Sequence, residues 1–144
     1  MKGFKRYVVL LFIASLFLSC GDDDAPPNAQ ELAFERLEGT WELSNGGSIM
    51  INNQNASLNF PGFSLSFTDG QYNTANAGNL FNATGTWEWL DTEAQSISLD
   101  DGKTITIIEL TETVFEFSFQ FDGSRGVAFG NNSVSGAYVI RVLK

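Results

Sequence analysis

Alternation of apolar and polar residues dominates the chain from residue 39 onward and predicts β-strands. It is clearest over 114–121, where every second residue is a phenylalanine and mostly polar residues lie between them. Because successive side chains of a strand point to opposite faces, these phenylalanines are expected to share one face. Shorter runs with the same period lie at 63–68, 87–89 and 97–99. Over 104–110 the alternation loses phase at Ile107-Ile108, which predicts a β-bulge.

Asp-Gly pairs separate several of these runs, at 69–70, 101–102 and 122–123. Such pairs supply the positive φ angles that tight hairpin turns require. Roughly eight to ten short strands joined by short connections favour an antiparallel up-and-down barrel or a sandwich. No long helical segments alternate with the strands, which argues against a parallel α/β sheet. We therefore predict an all-β fold, either an antiparallel up-and-down barrel or a sandwich.

A different pattern precedes the strands. Residues 31–38 carry apolar side chains at near-helical spacing, which predicts a short helix that covers one end of the strand region that follows. Residues 20–30 are acidic, contain Pro26-Pro27 and lack apolar periodicity, so we expect them to form a flexible tether. The folded domain is accordingly predicted to span residues 31–144.

The first 19 residues have the pattern of a signal peptide. Lys2, Lys5 and Arg6 form a basic start, and an almost wholly apolar run follows over 7–18. That run is shorter than the ~20 residues of a membrane-spanning helix. It ends in Leu-Ser-Cys, which resembles a lipobox, and Cys20 is the one cysteine of the chain. We predict that Cys20 becomes the lipidated N-terminus, the alternative being an ordinary secretory signal with an incidental cysteine.

Charge narrows the range of partners. The chain has 8 basic and 17 acidic residues, and removal of the three basic residues in the signal leaves five against 17, a net charge of −12. Such a surface repels nucleic acid and anionic headgroups, so we expect the membrane to hold the protein through acyl chains alone. The acidic run 22–24 resembles an export signal of surface-displayed lipoproteins, or else is a solvated spacer. An outer-membrane location, facing the cell surface or the periplasm, is expected.

The sequence offers no catalytic constellation. There is no histidine, and the anchor uses the one cysteine, so the usual base, nucleophile and metal ligands are missing. Gly123–Gly136 lacks the Lys-Ser/Thr ending of a P-loop. A carboxylate pair for glycoside hydrolysis is the alternative, with candidates that lie opposite the aromatic faces or in turns: Glu88, Asp91, Glu93, Glu109, Glu112 and Glu116. The favoured interpretation is a solvated outer face that keeps the domain soluble. We therefore predict neither an enzyme nor a cofactor or metal.

Gly39-Thr40-Trp41 resembles the Gly-x-Trp opening of the lipocalin superfamily. In that family the motif begins the first barrel strand after a short helix, and a basic residue near the end of the barrel covers the tryptophan ring. The resemblance implies that the fold is a small antiparallel up-and-down β-barrel with a short N-terminal helix. It also implies that Arg141 covers Trp41 here, an arrangement that gains cation–π attraction. Residues 85–99 are also similar to small lipocalin-like domains of bacterial lipoproteins.

Two functions are compatible with such a barrel, since an eight-stranded interior is either filled by side chains or holds one small ligand. The first is a lipid-anchored extracytoplasmic module that binds a small apolar or amphipathic molecule. Its expected lining is Trp87, Trp89, Phe115, Phe117 and Phe119. The second is a module with a filled barrel that binds a protein or glycan through its loops, for which the acidic surface suits basic partners.

Overall fold

The computed structural model describes residues 25–44, 46–123 and 134–144. The predicted signal peptide, Cys20 and most of the Gly-rich stretch after Asp122-Gly123 lie outside these residues. Within them, one helix, α1 (Ala29–Leu37), precedes ten strands. The strands are β1 (Gly39–Glu42), β2 (Ser48–Ile51), β3 (Gln54–Asn55), β4 (Ser64–Thr68), β5 (Gln71–Ala75), β6 (Thr84–Trp89), β7 (Ser96–Leu99), β8 (Thr104–Leu110), β9 (Val114–Phe121) and β10 (Gly136–Leu143).

Antiparallel pairing closes the sheet into a barrel. From β4 to β10 each strand pairs with the next, and β1 joins β4 on one side and β10 on the other, which gives eight strands in the ring. β2 also pairs with β10, so β1 and β2 lie one after the other along the same edge of that strand. Closure of the ring leaves β3, which pairs with β2 alone, as the end of the sheet. The structure confirms the predicted barrel and excludes the sandwich.

The interior face follows the predicted alternation. On β9, Phe115, Phe117 and Phe119 are buried, and the residues between them are more exposed. The predicted bulge on β8 is confirmed: the pairing with β9 shifts between Ile107 and Glu109, and Ile108 points into solvent. The strands therefore bury one continuous apolar face inside the ring.

Two of the Asp-Gly pairs form the predicted turns. Asp69-Gly70 joins β4 to β5, with Thr68 opposite Gln71, and Asp101-Gly102 lies between β7 and β8. Gly70 and Gly102 have φ angles of +68° and +83°, which explains why glycine follows aspartate at both places.

The helix begins at Ala29, two residues earlier than predicted, because Asn28 is its N-cap. The Asn28 side chain accepts a hydrogen bond from the Glu31 backbone N–H, and the Glu31 carboxylate accepts one from the Asn28 N–H. This reciprocal capping box satisfies two backbone donors that helix geometry leaves unpaired. Ala29 and Gln30, assigned to the tether from sequence, thus belong to the folded body. No helix in the described ranges has the length and apolar character needed to cross a membrane.

Candidate functional site

Aromatic rings occupy the middle of the barrel. Phe115 and Phe117 stack with their ring centroids 4.6 Å apart, and both side chains are fully buried. Phe119 continues the stack and lies 5.3 Å from the ring of Tyr138 on β10. Since these distances are those of direct ring contact, the rings pack against one another rather than around an open space.

Residues from outside the ring of strands close its two ends. The loop between β5 and β6 inserts Leu80 and Phe81, which are 0% and 4% exposed. Phe81 lies 5.0 Å from Phe119 and 6.3 Å from Phe117, so this loop reaches the centre of the interior. At the other end, Trp41 contacts Phe115, and Leu37 of α1 is fully buried. The predicted covering helix is confirmed, whereas sequence reasoning missed the inserted loop.

Of the five predicted lining residues, four are buried. Phe115, Phe117, Phe119 and Trp87 point inward with at most 8% of their surface exposed. The fifth, Trp89, lies on the same face of β6 as Trp87 but is half-buried at the end of the strand. The structure thus brings the five side chains into one cluster. Trp89 is the member that contacts both the buried rings and the solvent.

The basic group over the Trp41 ring is Lys144, so the prediction for Arg141 is wrong. The Lys144 Nζ lies 4.2 Å from the Trp41 ring centroid. Arg141 lies between the inward-facing Ile140 and Val142, and the alternation of β10 therefore turns it outward. The same alternation is visible in the sequence, and it argues against Arg141 as the residue that covers the Trp41 ring.

Lys144 also joins the barrel to the end of α1. Its Nζ donates hydrogen bonds to the backbone carbonyls of Arg36 and Glu38, at 2.6 and 2.5 Å. The Trp41 Nε1 donates to the carbonyl of Leu37 between them, at 2.8 Å. Carbonyls in the last turn of a helix lack intrahelical donors, and a cation there is favoured by the helix dipole. Burial lowers the pKa of the Lys144 amino group, while the charge of Glu38 acts in the opposite direction.

Arg141 forms ion pairs on the outer face of the barrel. One of its guanidinium nitrogens lies 2.8 Å from a carboxylate oxygen of Glu109 on β8 and of Glu116 on β9. The hydrogen bonds that Arg141 donates to the carboxylates of Glu116 and Glu109 raise the pKa of Arg141. Glu116, which alternates with the phenylalanines of β9, and Glu109 on β8 are therefore both held by a cation at the surface.

A groove of about 400 Å³ lies between α1, the β4–β5 turn and β6. Three aromatic side chains line it, and they are Phe34, Trp87 and Trp89. The acidic residues Glu31, Asp69 and Glu88 are also among the residues that line it, together with Asn28 and Gln30, and Glu88 lies on the opposite face of β6 from the two tryptophans. No lysine or arginine is among the residues that line the groove. We call this feature the α1–β6 groove.

Hydrogen bonds and ring contacts hold the walls of the α1–β6 groove in place. The Trp87 Nε1 donates to the backbone carbonyls of Thr68 and Gln71, on either side of the β4–β5 turn, at 2.9 and 3.1 Å. The Phe34 ring stacks on Trp87 at 5.9 Å, and the Trp89 ring meets Trp87 edge-on at 5.1 Å. The side chain of Gln30 donates to the backbone carbonyl of Asp91, which ties α1 to the β6–β7 turn.

Sequence reasoning identified the parts of this groove but not the groove itself. The sequence predicts Trp87 and Trp89 as lining residues, the apolar helix positions of 31–38 include Phe34, and the Asp-Gly turn at 69–70 includes Asp69. Only the packing of α1 across the end of β6 brings them together, and no local pattern encodes that contact. In the sequence, the acidic Glu88 between the two tryptophans is the feature that comes closest to indicating a groove that is both aromatic and acidic.

Comparisons with known proteins assign no relative. Neither the protein-family models, nor the curated proteins, nor the solved structures include a match to this chain. Among the described residues, no group of three or more acidic side chains is arranged to hold a metal ion.

Proposed function

We propose that this protein is a lipid-anchored extracytoplasmic binding module that acts through its outer surface. In this proposal the acyl chains on Cys20 hold it at the outer membrane, on the cell surface or facing the periplasm. The described residues 28–44, 46–123 and 134–144 form a lipocalin-like body, and a basic protein partner binds to its acidic exterior. The proposal contains no catalytic step and requires no cofactor.

The observation that carries the proposal is the contact between rings inside the barrel. Phe117 is fully buried and touches Phe115, Phe119 and Phe81. A ligand in that place would have to displace side chains whose burial stabilises the fold, each phenylalanine contributing about 1.5–3 kcal/mol. Binding at the surface has no such cost. The net charge of −9 for the whole chain favours a cationic partner.

The lipocalin-like assignment rests on a separate set of contacts. A short helix precedes Gly39-Thr40-Trp41, and Lys144 from the end of the barrel covers the Trp41 ring. Gly39 has a φ of +113°, and a Cβ there would lie 3.2 Å from the Lys144 side chain, which supports a need for glycine at this position. These features support the resemblance seen in the sequence.

Salt dependence tests the surface proposal. The full-length protein, purified in a non-ionic detergent, is immobilised and incubated with an extract of envelope proteins from the producing cells. Retained partners should be basic and should be released as ionic strength rises, because screening weakens contacts between exposed charges. Partners that are equally retained at high salt would contradict the proposal.

Native mass spectrometry tests the alternative, a small apolar or amphipathic ligand inside the barrel. After incubation with a small-molecule extract, we expect the mass of the lipidated protein without an adduct. A defined adduct that disappears in Phe117→Ala would establish an internal site and overturn the surface proposal. The same spectra test the anchor, since the mature mass should correspond to residues 20–144 plus acyl chains and Cys20→Ser should lack them.

A further inference from the structure

The α1–β6 groove combines two features that attract the same kind of group. Its aromatic wall is made by Phe34, Trp87 and Trp89, and its acidic rim by Glu31, Asp69 and Glu88. The face of an aromatic ring carries negative charge and attracts cations, most strongly for tryptophan. Carboxylates attract the same cations by direct charge interaction.

The charge of the rim is available to a ligand. Glu31, Asp69 and Glu88 are exposed at the surface. Within the described residues, none of the three takes part in a salt bridge, since those present join Lys103 to Asp101 and Arg141 to Glu109 and Glu116. The Glu31 carboxylate accepts the hydrogen bond from the Asn28 backbone N–H that caps α1. The groove therefore has three acidic side chains and no basic one.

The wall is rigid and only partly covered. Trp87 is fixed by the hydrogen bonds from its Nε1 to the β4–β5 turn, and it in turn supports Phe34 and Trp89 through ring contacts. Trp89 and Phe34 are half-buried, so each has surface left for a ligand. A site held in place before binding loses little freedom when the ligand arrives, which favours affinity.

We propose that the α1–β6 groove is the binding site for a lysine or arginine side chain of a basic partner protein. The cationic end contacts the half-buried Trp89 and Phe34 rings, and the carboxylates of Asp69 and of the outward-facing Glu88 attract it from the edge of the groove. The volume of about 400 Å³ accommodates a side chain and the backbone that carries it. This inference rests on the proposed function, for which it supplies the site and the chemistry of the partner.

Binding of a hexalysine peptide, acetylated at one end and amidated at the other, tests the inference. The full-length protein in non-ionic detergent is titrated at low ionic strength, and the three tryptophan indole N–H signals are followed by NMR. The Trp89 signal should shift, whereas the Trp41 signal should not, because Trp41 is fully buried and its Nε1 donates to Leu37. An uncharged oligosaccharide of N-acetylglucosamine serves as the neutral probe and should cause no shift.

Two variants with the same change of charge separate the groove from the general acidity of the surface. Glu88→Gln should weaken hexalysine binding roughly two- to fivefold, as expected for the loss of one exposed charge contact. Glu112→Gln, in the β8–β9 turn away from the groove, should change it by less than half of that. Trp89→Leu retains an apolar side chain but removes the ring face, and it should weaken binding by about two- to thirtyfold.

The outcomes distinguish this inference from the proposed function. Equal weakening by Glu88→Gln and Glu112→Gln overturns the groove as the site but leaves a cation-binding acidic exterior. Shifts caused by the neutral oligosaccharide, but not by hexalysine, overturn the cationic ligand. If neither probe shifts the Trp89 signal, the inference fails, and the salt-dependent capture of partners decides the proposed function separately. A far-ultraviolet circular dichroism spectrum of each variant confirms that the barrel is retained.

Discussion

Lys144, at the end of the chain, connects the helix to the barrel. Its amino group satisfies two terminal carbonyls of α1 and covers the Trp41 ring, while Trp41 satisfies the carbonyl between them. Three consecutive helix carbonyls, from Arg36 to Glu38, thus obtain donors from two side chains of the barrel. The orientation of α1, and with it one wall of the α1–β6 groove, depends on this junction.

Lys144→Met should therefore destabilise the protein. Methionine retains much of the apolar stem but has neither the charge nor the donors, so the cation–π contact, worth about 0.5–2 kcal/mol, is lost together with the two hydrogen bonds. Urea unfolding followed by circular dichroism measures the loss. Arg141→Met is the control and should have a smaller effect, because the Arg141 ion pairs lie at the surface. A larger loss of stability in Arg141→Met than in Lys144→Met would mean that Arg141 holds the end of the barrel.

Gly85 is required because Tyr72 packs against it. The two residues are opposite each other on β5 and β6, and a Cβ on Gly85 would lie 2.5 Å from the Tyr72 ring and 2.5 Å from an Asp100 carboxylate oxygen. The Tyr72 hydroxyl donates to that carboxylate at 3.3 Å. Burial, followed by the nearby Asp100 charge, raises the pKa of Tyr72 and keeps the hydroxyl protonated.

We expect Gly85→Ala to lower the free energy of unfolding by about 1–3 kcal/mol, the usual cost of overpacking. Thr86→Ala, next to it on the exposed face of β6, is the control and should change stability by less than about 0.5 kcal/mol. Chemical denaturation of both variants provides the comparison. A Gly85→Ala protein as stable as the parent would show that Tyr72 can move away without loss.

At the scale of elements, the β5–β6 loop acts as part of the core rather than as a connection. Leu80, a residue of this loop, is fully buried. Leu58, in the short 3₁₀ turn Ser57–Asn59, is 95% exposed. The same substitution at both positions isolates the effect of burial. Leu80→Ala should cost about 2–5 kcal/mol, and Leu58→Ala should remain within about 0.5 kcal/mol of the parent. Similar values for the two in urea denaturation would contradict insertion of the loop.

The β6–β7 turn depends on Asp91, whose carboxylate accepts hydrogen bonds from the Gln95 backbone N–H and the Ser96 hydroxyl. These bonds, the one from Gln95 first, lower the pKa of Asp91 from its usual 3.8. A carboxyl whose pKa is lower in the folded state binds protons more readily when unfolded. Its stabilising contribution is therefore present above the ordinary pKa and is lost as the pH falls through the lower, folded value.

Asp91→Asn should accordingly be less stable than the parent at pH 6, with a difference that shrinks as the pH falls below 3.8. Denaturant midpoints of the two proteins, measured from pH 6 down to acid, provide the test. Glu93→Gln, an exposed acid in the same turn, is the control. A difference between Asp91→Asn and the parent that is independent of pH would assign the effect to shape rather than ionisation.

At the scale of the whole molecule, net charge opposes folding. With 17 acidic and 8 basic residues, like charges are brought together when the barrel closes. Increasing the sodium chloride concentration from about 0.01 M to about 0.15 M shortens the screening length from about 30 Å to about 8 Å. We expect the thermal unfolding midpoint to rise over this range. The rise should be smaller near pH 4, where many carboxylates are protonated, and an equal rise at both pH values would argue against charge repulsion as its cause.

The closed barrel also explains how the same molecule combines a filled interior with an available surface site. Rings from β9 and the β5–β6 loop fill the middle of the barrel. The half-buried aromatic surface therefore lies where α1 meets the end of the barrel. Binding at that end of the barrel requires no internal cavity.

The sequence by itself determined the elements. The period of two in β9, the phase break at Ile107-Ile108 and the glycines of the Asp-Gly turns are local features with local physical causes, and each is found in the structure. The short helix was predicted on the same grounds. Its N-cap, Asn28, was not, because it lies in the predicted tether, two residues before the end of that segment. Eight to ten short antiparallel strands indicated a barrel or a sandwich without deciding between them.

Tertiary structure decided the rest, because contacts between distant residues depend on register and on loop insertion. Pairing of β1 with both β4 and β10 made the sheet a barrel. The position at which the last strand ends placed Lys144, rather than Arg141, over Trp41. Insertion of Leu80 and Phe81 filled the interior, and the packing of α1 against Trp87 formed the groove. Each of these contacts joins segments whose own patterns contain no information about the partner, so only the folded chain brings them together.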